Sequence, residues 1–226
     1  MLDKVQKETG KKKVMSINIS SSDFKTMIKR ADYVQKKLRK YDHALLVDGI
    51  LAGWTAVQTA KRLYPKTFIH FHRAGHGAYT RAENAFGFSV PVLTMFGRLS
   101  GTSGIHTGTA GIGKMAGDNE DVIAANCALN KVSKGLFFTQ NWGKFAPCCP
   151  IASGGLNPTK LHPLIKALKT TDFITTMGAG CHSHPGGTRK GAIALVQACD
   201  AHRKGMTIKQ YAKNHEELAQ AIETFK

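Results

Sequence analysis

Short apolar runs rich in branched residues alternate with segments of helical periodicity along the whole chain. An apolar run of four to eight residues is typical of a buried strand, whereas apolar residues spaced three or four apart form one face of a helix. The pattern predicts strands at residues 14–19, 44–47, 67–71, 149–152 and 173–177, and a short strand ending at residues 105–106.

Helical patterns follow these runs. Residues 20–23, Ser-Ser-Ser-Asp, are typical helix caps and introduce the first long helix. The predicted helices are residues 24–39, 54–62, 90–99, 120–129, 160–168 and 187–203, with two short ones at 207–213 and 215–224. Asp118, Glu120 and Asp121 lie near the positive end of the fourth of these helices.

Strands and helices that alternate in this way predict a parallel sheet with crossover helices. Two architectures fit: a doubly wound open sheet and a (β/α)8 barrel. The number of units favours the open sheet. Polar residues and glycines at the carboxyl end of nearly every strand favour a barrel, in which all the loops contribute to one site. If the last two strands are strands seven and eight of a barrel, the first strand here is strand three.

Charge and cysteine content narrow the possible partners. The net charge is +17 over 226 residues, which favours an anionic partner. The basic residues are dispersed and are not interleaved with aromatic side chains, so we expect no nucleic-acid binding.

We expect no membrane span, and the charged N-terminus argues against a signal peptide and for a cytoplasmic protein. The five cysteines have no C-x-x-C spacing and are expected to be reduced.

A histidine-rich segment, F-I-H-F-H-R-A-G-H-G, spans residues 68–77. On a strand, His70 and His72 point to the same side, with Arg73 and His76 beyond the strand end. They could be a buried, hydrogen-bonded pair, or the H-x-H ligands of a metal-dependent hydrolase. No carboxylate ends the last strand, and the residues at the strand ends are chiefly His, Arg, Lys, Ser and Gly. This set favours an anionic substrate over a metal.

A glycine-rich stretch, S-G-I-H-T-G-T-A-G-I-G-K-M-A-G, spans residues 103–117. Glycines let a backbone approach a ligand closely, although such a stretch can also be a plain surface loop. Lys114 lies at its far end. The glycines of S-G-G at 153–155 and G-A-G at 178–180 present backbone N–H groups that could bind anions. Together with Arg73, His106 and Lys114, they suggest a substrate with two phosphates.

Five motifs carry a family resemblance. H-F-H-R-A-G-H-G-A, G-I-H-T-G-T-A-G-I-G-K-M, F-F-T-Q-N-W, I-A-S-G-G and G-A-G-x-x-x-H-P resemble, in order and spacing, the large subunit of ribulose-1,5-bisphosphate carboxylase/oxygenase. The glycine-rich loop carries the extra residue seen in the forms without small subunits, and so resembles form II or II/III. The resemblance implies a (β/α)8 TIM barrel of which strands 3–8 are present, with residues 1–205 as the partial catalytic barrel and 206–226 as a helical extension.

The resemblance also implies roles for individual residues. Lys114 resembles the lysine of the mobile loop that stabilises the carboxylate formed from CO2, and His72 resembles the histidine used in proton transfer. Arg73 and His106 resemble ligands of one phosphate, and Ser153 matches the serine that contacts a substrate hydroxyl. The backbone cradles for phosphate correspond to Gly154, Gly155, Gly178, Ala179 and Gly180. Ala179 departs from the usual glycine but keeps its N–H.

The implied substrates are ribulose 1,5-bisphosphate and CO2 or O2, with Mg²⁺ as cofactor and a homodimer or higher oligomer as the assembly. The family binds magnesium through a K-x-D-E motif on strand two, which this sequence lacks. We therefore expect no metal ligands here and no CO2 fixation by this chain alone. The alternatives are a related enolase or isomerase, and a non-catalytic chain that binds a sugar bisphosphate. An exposed edge at residues 14–19 is expected to promote self-association.

Overall fold

A computed structural model describes residues 1–114, 119–135 and 137–226. The end of the predicted glycine-rich stretch, Met115 to Gly117, and Asp118 lie outside these residues. The chain forms two compact units. The first unit comprises residues 1–106 and 127–149, and the second comprises residues 107–126 and 150–226. No helix among the described residues has both the length and the apolar character that a membrane span requires.

The first unit is built on parallel strands connected by helices. Its elements up to residue 106 are α1 (Leu2–Thr9), β1 (Met15–Asn18), α2 (Phe24–Lys37), β2 (His43–Asp48), α3 (Gly49–Ala52), α4 (Trp54–Leu63), β3 (Phe68–His72), α5 (Gly77–Thr80), α6 (Val90–Leu99) and β4 (Gly104–His106). Each strand pairs in parallel with the next, β1 with β2, β2 with β3 and β3 with β4. The register places Asp48 opposite His72 at the carboxyl ends of β2 and β3.

Two elements have residues in both units, and a small hairpin completes the first. Helix α7 (Asn119–Leu129) ends in the first unit, and β7 (Cys149–Ser153) has its first residue there. Between them lie β5 (Val132–Lys134) and β6 (Thr139–Asn141), which pair antiparallel. The apolar sides of the strands and helices of this unit form one core, whose fully buried members include Ile19, Met27, Leu45, Ile69, Phe71, Leu93 and Ile105.

The second unit contains a parallel strand pair and most of the C-terminal helices. Its remaining elements are a 3-10 turn (Pro158–Lys160), α8 (Leu161–Leu168), β8 (Ile174–Thr176), α9 (Gly178–His182), α10 (Gly187–Arg203), α11 (Ile208–Ala212) and α12 (Glu216–Thr224). Strand β7 pairs with β8, so that Ser153 lies opposite Thr176. Its core contains Leu156, Leu161, Leu164, Leu168, Ala198, Tyr211 and Leu218.

The structure confirms the parallel α/β class and every predicted strand and long helix, with ends that move by one or two residues. Asp23 caps α2 as its position suggests, since its carboxylate accepts the Thr26 N–H at 2.7 Å. Helix α1 was not predicted because it is polar and has no buried residue. Residues 178–180, expected in a loop, instead begin the short helix α9. The boundary between 1–205 and 206–226 stays a prediction, and the compact units divide the chain elsewhere.

Candidate active site

Three imidazoles meet in the first unit, and we call His70, His72 and His106 the histidine cluster. Alternation along β3 places His70 and His72 on the same side, as the sequence predicts. Strand β4 lies beside β3 and ends at His106. The centroid of the His106 ring lies 5.0 Å from the ring centroid of each of the other two. The His106 ring is stacked on that of His70 and edge-on to that of His72.

His70 and His106 share a hydrogen bond between their ring nitrogens. The two Nε2 atoms are 2.7 Å apart, so one ring donates and the other accepts. On its other side, His70 Nδ1 lies 3.1 Å from the Ser16 hydroxyl of β1. Both imidazoles are nearly buried, at 8% and 5% exposure. The structure corrects the buried pair that the sequence suggested for His70 and His72. The buried, hydrogen-bonded partner of His70 is His106, whereas the His72 side chain is 40% exposed.

Burial decides the charge of this pair. It lowers the pKa of His70 to about 4, with a smaller contribution from the positive charge of His72. It lowers the pKa of His106 to about 3, with further contributions from His70, His72 and Arg73. Since neutral imidazoles lose less solvation on burial, both rings are neutral at pH 7. They contribute hydrogen bonds rather than charge.

His72 has a different partner, a carboxylate. Its Nδ1 lies 2.6 Å from Asp48 Oδ1. The second oxygen, Asp48 Oδ2, accepts from Asn18 Nδ2 at 3.0 Å, and the Asp48 backbone N–H donates to the Ser20 hydroxyl at 2.7 Å. Burial raises the pKa of Asp48, but the hydrogen bonds from Asn18, His72 and Ser20 and the charge of His72 together lower it below its usual value. Asp48 is therefore a carboxylate.

Arg73 and His76 extend the cluster beyond the end of β3. Arg73 is buried to 9% exposure. His76 Nδ1 lies 2.7 Å from the Thr80 hydroxyl. Burial and then the charges of Arg73 and Arg81 lower the pKa of His76 to about 4. Since the nearby imidazoles of His70, His76 and His106 are neutral, the fixed positive charge at this position comes from Arg73, which suits an anionic group.

In the second unit, residues 107–114 form a loop that we call the glycine loop. Its start is fixed by Asp121 of α7, whose Oδ2 accepts from the N–H groups of Thr109 at 3.0 Å and Ala110 at 2.8 Å. Gly108 has φ 104°, and a Cβ there would lie 2.1 Å from the Asp121 carboxylate. Only glycine permits both this backbone conformation and this close approach.

Lys114 ends the glycine loop beside the S-G-G turn that follows β7. Its N–H donates to the Gly154 carbonyl oxygen at 3.0 Å. A Cβ on Gly155, where φ is 68°, would lie 2.2 Å from Lys114 Cγ. The structure thus brings together Lys114, Gly154 and Gly155, which the sequence places about forty residues apart.

The G-A-G segment also approaches this turn. A Cβ on Gly180 would lie 2.6 Å from the Cα of Asn157 and from the Leu156 carbonyl oxygen. Gly178 is open, with no atom within 4 Å of the position of a Cβ. Ser153 is the last residue of β7. Within the second unit, the predicted substrate-binding residues Ser153, Gly154, Gly155 and Gly178–Gly180 therefore lie on adjoining segments.

Sequence reasoning missed several residues of these groups. Asp121, predicted only as a charge near a helix end, holds the glycine loop. Ser16 and Asn18 of β1 received no role and Ser20 was predicted only as a helix cap, although polar residues at the end of a strand were a usable signal. Thr107 was also missed. Its hydroxyl is buried and has no hydrogen-bond partner among the described residues.

The described residues do not fit a magnesium site. They include no group of three His, Cys, Asp or Glu side chains placed to hold a metal ion. Magnesium prefers oxygen ligands in octahedral geometry, whereas the histidine cluster offers mainly nitrogen.

Known proteins resemble this chain over its whole length. The family profile for ribulose bisphosphate carboxylase large chain, catalytic domain, matches residues 1–225. The ribulose bisphosphate carboxylase of Rhodobacter capsulatus is 41% identical over 226 residues, covering 99% of this chain and 49% of that protein. The enzyme of Cereibacter sphaeroides is 39% identical over 226 residues, with the same coverage.

Solved structures of the same enzyme also resemble this chain. The dimeric archaeal Rubisco of Hyperthermus butylicus superposes with a TM-score of 0.87 at 31% identity, covering 98% of this chain and 51% of that one. The octameric enzyme of Pyrococcus horikoshii superposes with a TM-score of 0.85 at 34% identity, covering 98% of this chain and 50% of that one. The chain spans about half the length of these relatives. It belongs to the family of ribulose bisphosphate carboxylase large chains, in its catalytic domain.

Proposed function

We propose that this chain carries part of the active site of a ribulose-bisphosphate carboxylase. The reaction adds CO2 to ribulose 1,5-bisphosphate and yields two molecules of 3-phosphoglycerate, with O2 as the competing substrate. One observation supports the proposal best. The glycine loop, which is hydrogen-bonded to Asp121, places Lys114 against the Gly154-Gly155 turn. This arrangement places a cationic side chain beside the backbone of Gly154 and Gly155.

Lys114 is proposed to stabilise the carboxylate that forms from CO2. The described part of its loop is held at one end by Asp121 and meets Gly154 at the other, and Lys114 itself is exposed. A cation stabilises a developing negative charge far more strongly when water is excluded than in bulk solvent. A loop that closes over substrate provides that exclusion.

His72 is proposed to transfer a proton, and Arg73 and His106 to bind one phosphate. Arg73 supplies a charge that matches a phosphate group, and a neutral imidazole can still donate one hydrogen bond. The low pKa of His106, about 3, means that it would act as a neutral donor.

The second phosphate is proposed to bind at the backbone of the two glycine segments in the second unit. Ser153 would contact a substrate hydroxyl, and the remaining contacts come from main-chain N–H groups, which a side-chain change leaves in place. The substitution of alanine at position 179 is therefore compatible with this role. The residues involved are Gly154, Gly155, Gly178, Ala179 and Gly180.

Four broader expectations remain proposals. The strands present are proposed to correspond to strands 3–8 of a (β/α)8 barrel, and the assembly to be a homodimer or larger oligomer. Two structural relatives, the enzymes of Hyperthermus butylicus and Pyrococcus horikoshii, are a dimer and an octamer. Magnesium is proposed as the cofactor by family alone, and the roles given above belong to this chain's own residues. The cytoplasmic localisation also stays a prediction.

The proposal is tested by incorporation of labelled CO2 in the presence of ribulose 1,5-bisphosphate. The chain is assayed alone and mixed with a polypeptide spanning the part of its relatives that it does not match. We expect activity in the mixture and little in the chain alone. Lys114→Ala should lower kcat by about a hundredfold or more, as the loss of one preorganised charge-stabilising group does. Lys166→Ala, on an exposed position of α8, is the matched control.

Other outcomes favour the alternatives. Binding of the bisphosphate by calorimetry without turnover in either sample would indicate a non-catalytic binding chain. Conversion of the substrate without incorporation of label would indicate an enolase or isomerase. A mixture whose activity is the same with Lys114→Ala would contradict the role given to Lys114.

A further inference from the structure

We propose that Asp48, held by Asn18 and Ser20, is a positioning residue that fixes His72 with its proton on Nδ1 and its lone pair on Nε2. The tautomer follows from the hydrogen-bond geometry and from the negative charge of Asp48, while its catalytic meaning rests on the proposed function of His72.

The direction of the hydrogen bond between the two side chains is determined by chemistry. Asp48 is ionised, so its Oδ1, 2.6 Å from His72 Nδ1, can only accept. His72 must therefore carry a proton on Nδ1. When the ring is neutral, Nε2 is then the basic nitrogen, which is the arrangement that a proton acceptor needs.

Asn18 holds the carboxylate in place. Its Oδ1 accepts the Ser20 N–H at 2.8 Å, which assigns its amide so that Nδ2 faces Asp48 Oδ2 at 3.0 Å. The Ser20 hydroxyl accepts the backbone N–H of Asp48 at 2.7 Å. These contacts tie the end of β1 to the end of β2. The carboxylate is thus oriented before His72 has to change its protonation, as supporting hydrogen bonds do around many catalytic imidazoles.

The other two imidazoles of the histidine cluster lack this arrangement. His70 and His106 use their Nε2 atoms against each other and are almost fully buried. The His72 side chain is 40% exposed and lies against a carboxylate. Of the three, His72 is therefore the ring that is hydrogen-bonded to a carboxylate and exposed enough for a substrate to reach.

The tautomer can be measured directly. Side-chain ¹⁵N spectra of the full chain, labelled in histidine and recorded above pH 8, distinguish a protonated from an unprotonated ring nitrogen. His72→Gln assigns the signal. We expect the wild-type chain to hold the Nδ1–H form. In Asp48→Ala the ratio of the two tautomers should change by about tenfold or more, as loss of a charge-assisted hydrogen bond predicts.

Asn18→Ala keeps the carboxylate but removes its support, and it should produce a smaller change in the same direction. This variant keeps the test valid if Asp48→Ala does not fold. Asp32→Ala is the control, since the Asp32 carboxylate accepts a hydrogen bond from the Tyr64 hydroxyl and is not among the residues that hold Asp48 and His72. In the labelled-CO2 assay with the complementing polypeptide, Asp48→Ala should lower kcat at least tenfold and change KM little.

An unchanged His72 tautomer in Asp48→Ala would overturn the assignment. A changed tautomer with an unchanged kcat would overturn the positioning role. A wild-type mixture that fixes no CO2 would refute the proposed function instead, and the spectra would still decide whether Asp48 sets the tautomer.

Discussion

At the scale of single residues, the histidine cluster shows how burial changes the chemistry of one side-chain type. His70 and His106 are neutral because both rings are buried and face other cationic groups. His72 lies a few ångströms away, half exposed and against a carboxylate. Imidazoles of one small cluster thus serve as a neutral hydrogen-bonding pair and a candidate proton carrier, and their partners make the difference.

This burial predicts acid sensitivity. In the unfolded chain these histidines take up protons near pH 6.5, whereas in the folded chain the pKa values are about 4 for His70 and about 3 for His106. Between these values the unfolded state binds more protons, so stability is complete above about pH 6.5 and falls as the pH drops towards 4. Each imidazole contributes a slope of up to about 1.4 kcal/mol per pH unit.

Urea unfolding at pH 7.5 and pH 5 measures this loss. His106→Gln should reduce the difference in unfolding free energy between the two pH values. His202→Gln, at an exposed position of α10, should leave the difference as it is in the wild-type chain. Equal pH dependence in His106→Gln and the wild type would show that the pair does not titrate as the structure indicates.

At the scale of elements, one arginine of α6 organises the hairpin of β5 and β6. Arg98 is 3% exposed and lies 4.4 Å over the ring of Trp142. Trp142 in turn donates its Nε1–H to the Ser133 hydroxyl at 3.2 Å. The guanidinium donates to the carbonyl oxygens of Cys127, Asn130, Phe145 and Ala146. Cys127 and Asn130 precede β5 and Phe145 and Ala146 follow β6, so Arg98 joins the two chain segments that flank the hairpin.

Replacing this guanidinium should destabilise the protein. Arg98→Lys keeps the charge, but one ammonium group cannot make all the hydrogen bonds that the planar guanidinium donates to several carbonyl oxygens. Buried acceptors are then left unsatisfied. We expect a loss of about 2–4 kcal/mol in the free energy of unfolding, measured by denaturant titration with circular dichroism. Arg203→Lys, in an exposed ion pair with Asp200, should cost less than about 0.5 kcal/mol. Similar losses in the two variants would contradict the role of Arg98.

At the scale of the whole molecule, the first strand leaves an open edge. In the described part of the chain, β1 pairs with β2 alone. Val14 and Met15 beside this edge are 66% and 39% exposed. An exposed apolar edge strand is a template for pairing with another chain. Self-association through β1 stays a prediction.

Charges at this edge should suppress that association. The double variant Val14→Lys and Met15→Lys is expected to lower the average mass in light scattering at fixed protein concentration, because lysines oppose edge-to-edge pairing. Tyr33→Lys adds a charge at an exposed position of α2, away from the edge, and is the control. An average mass unchanged by the double variant and equal to that of the control would show that β1 is not the point of contact.

Much of this fold could be predicted because its signals are local. An apolar run such as the one in β3, followed by a cap or a glycine, indicates a strand and the start of the next connection. This signal does not depend on residues elsewhere in the chain. The same locality placed His70 and His72 on one side of β3. The glycine loop, too, could be recognised from its composition.

The sequence by itself determined the order of strands and helices, the residues that end each strand and the family motifs, because each depends on neighbours along the chain. Only the tertiary structure decided which of those residues meet. The bonds from Asn18 to Asp48, from His70 to His106, from Asp121 to the glycine loop and from Arg98 to its carbonyls each join segments at least eleven residues apart. Such contacts depend on strand register and helix packing, which no local pattern encodes.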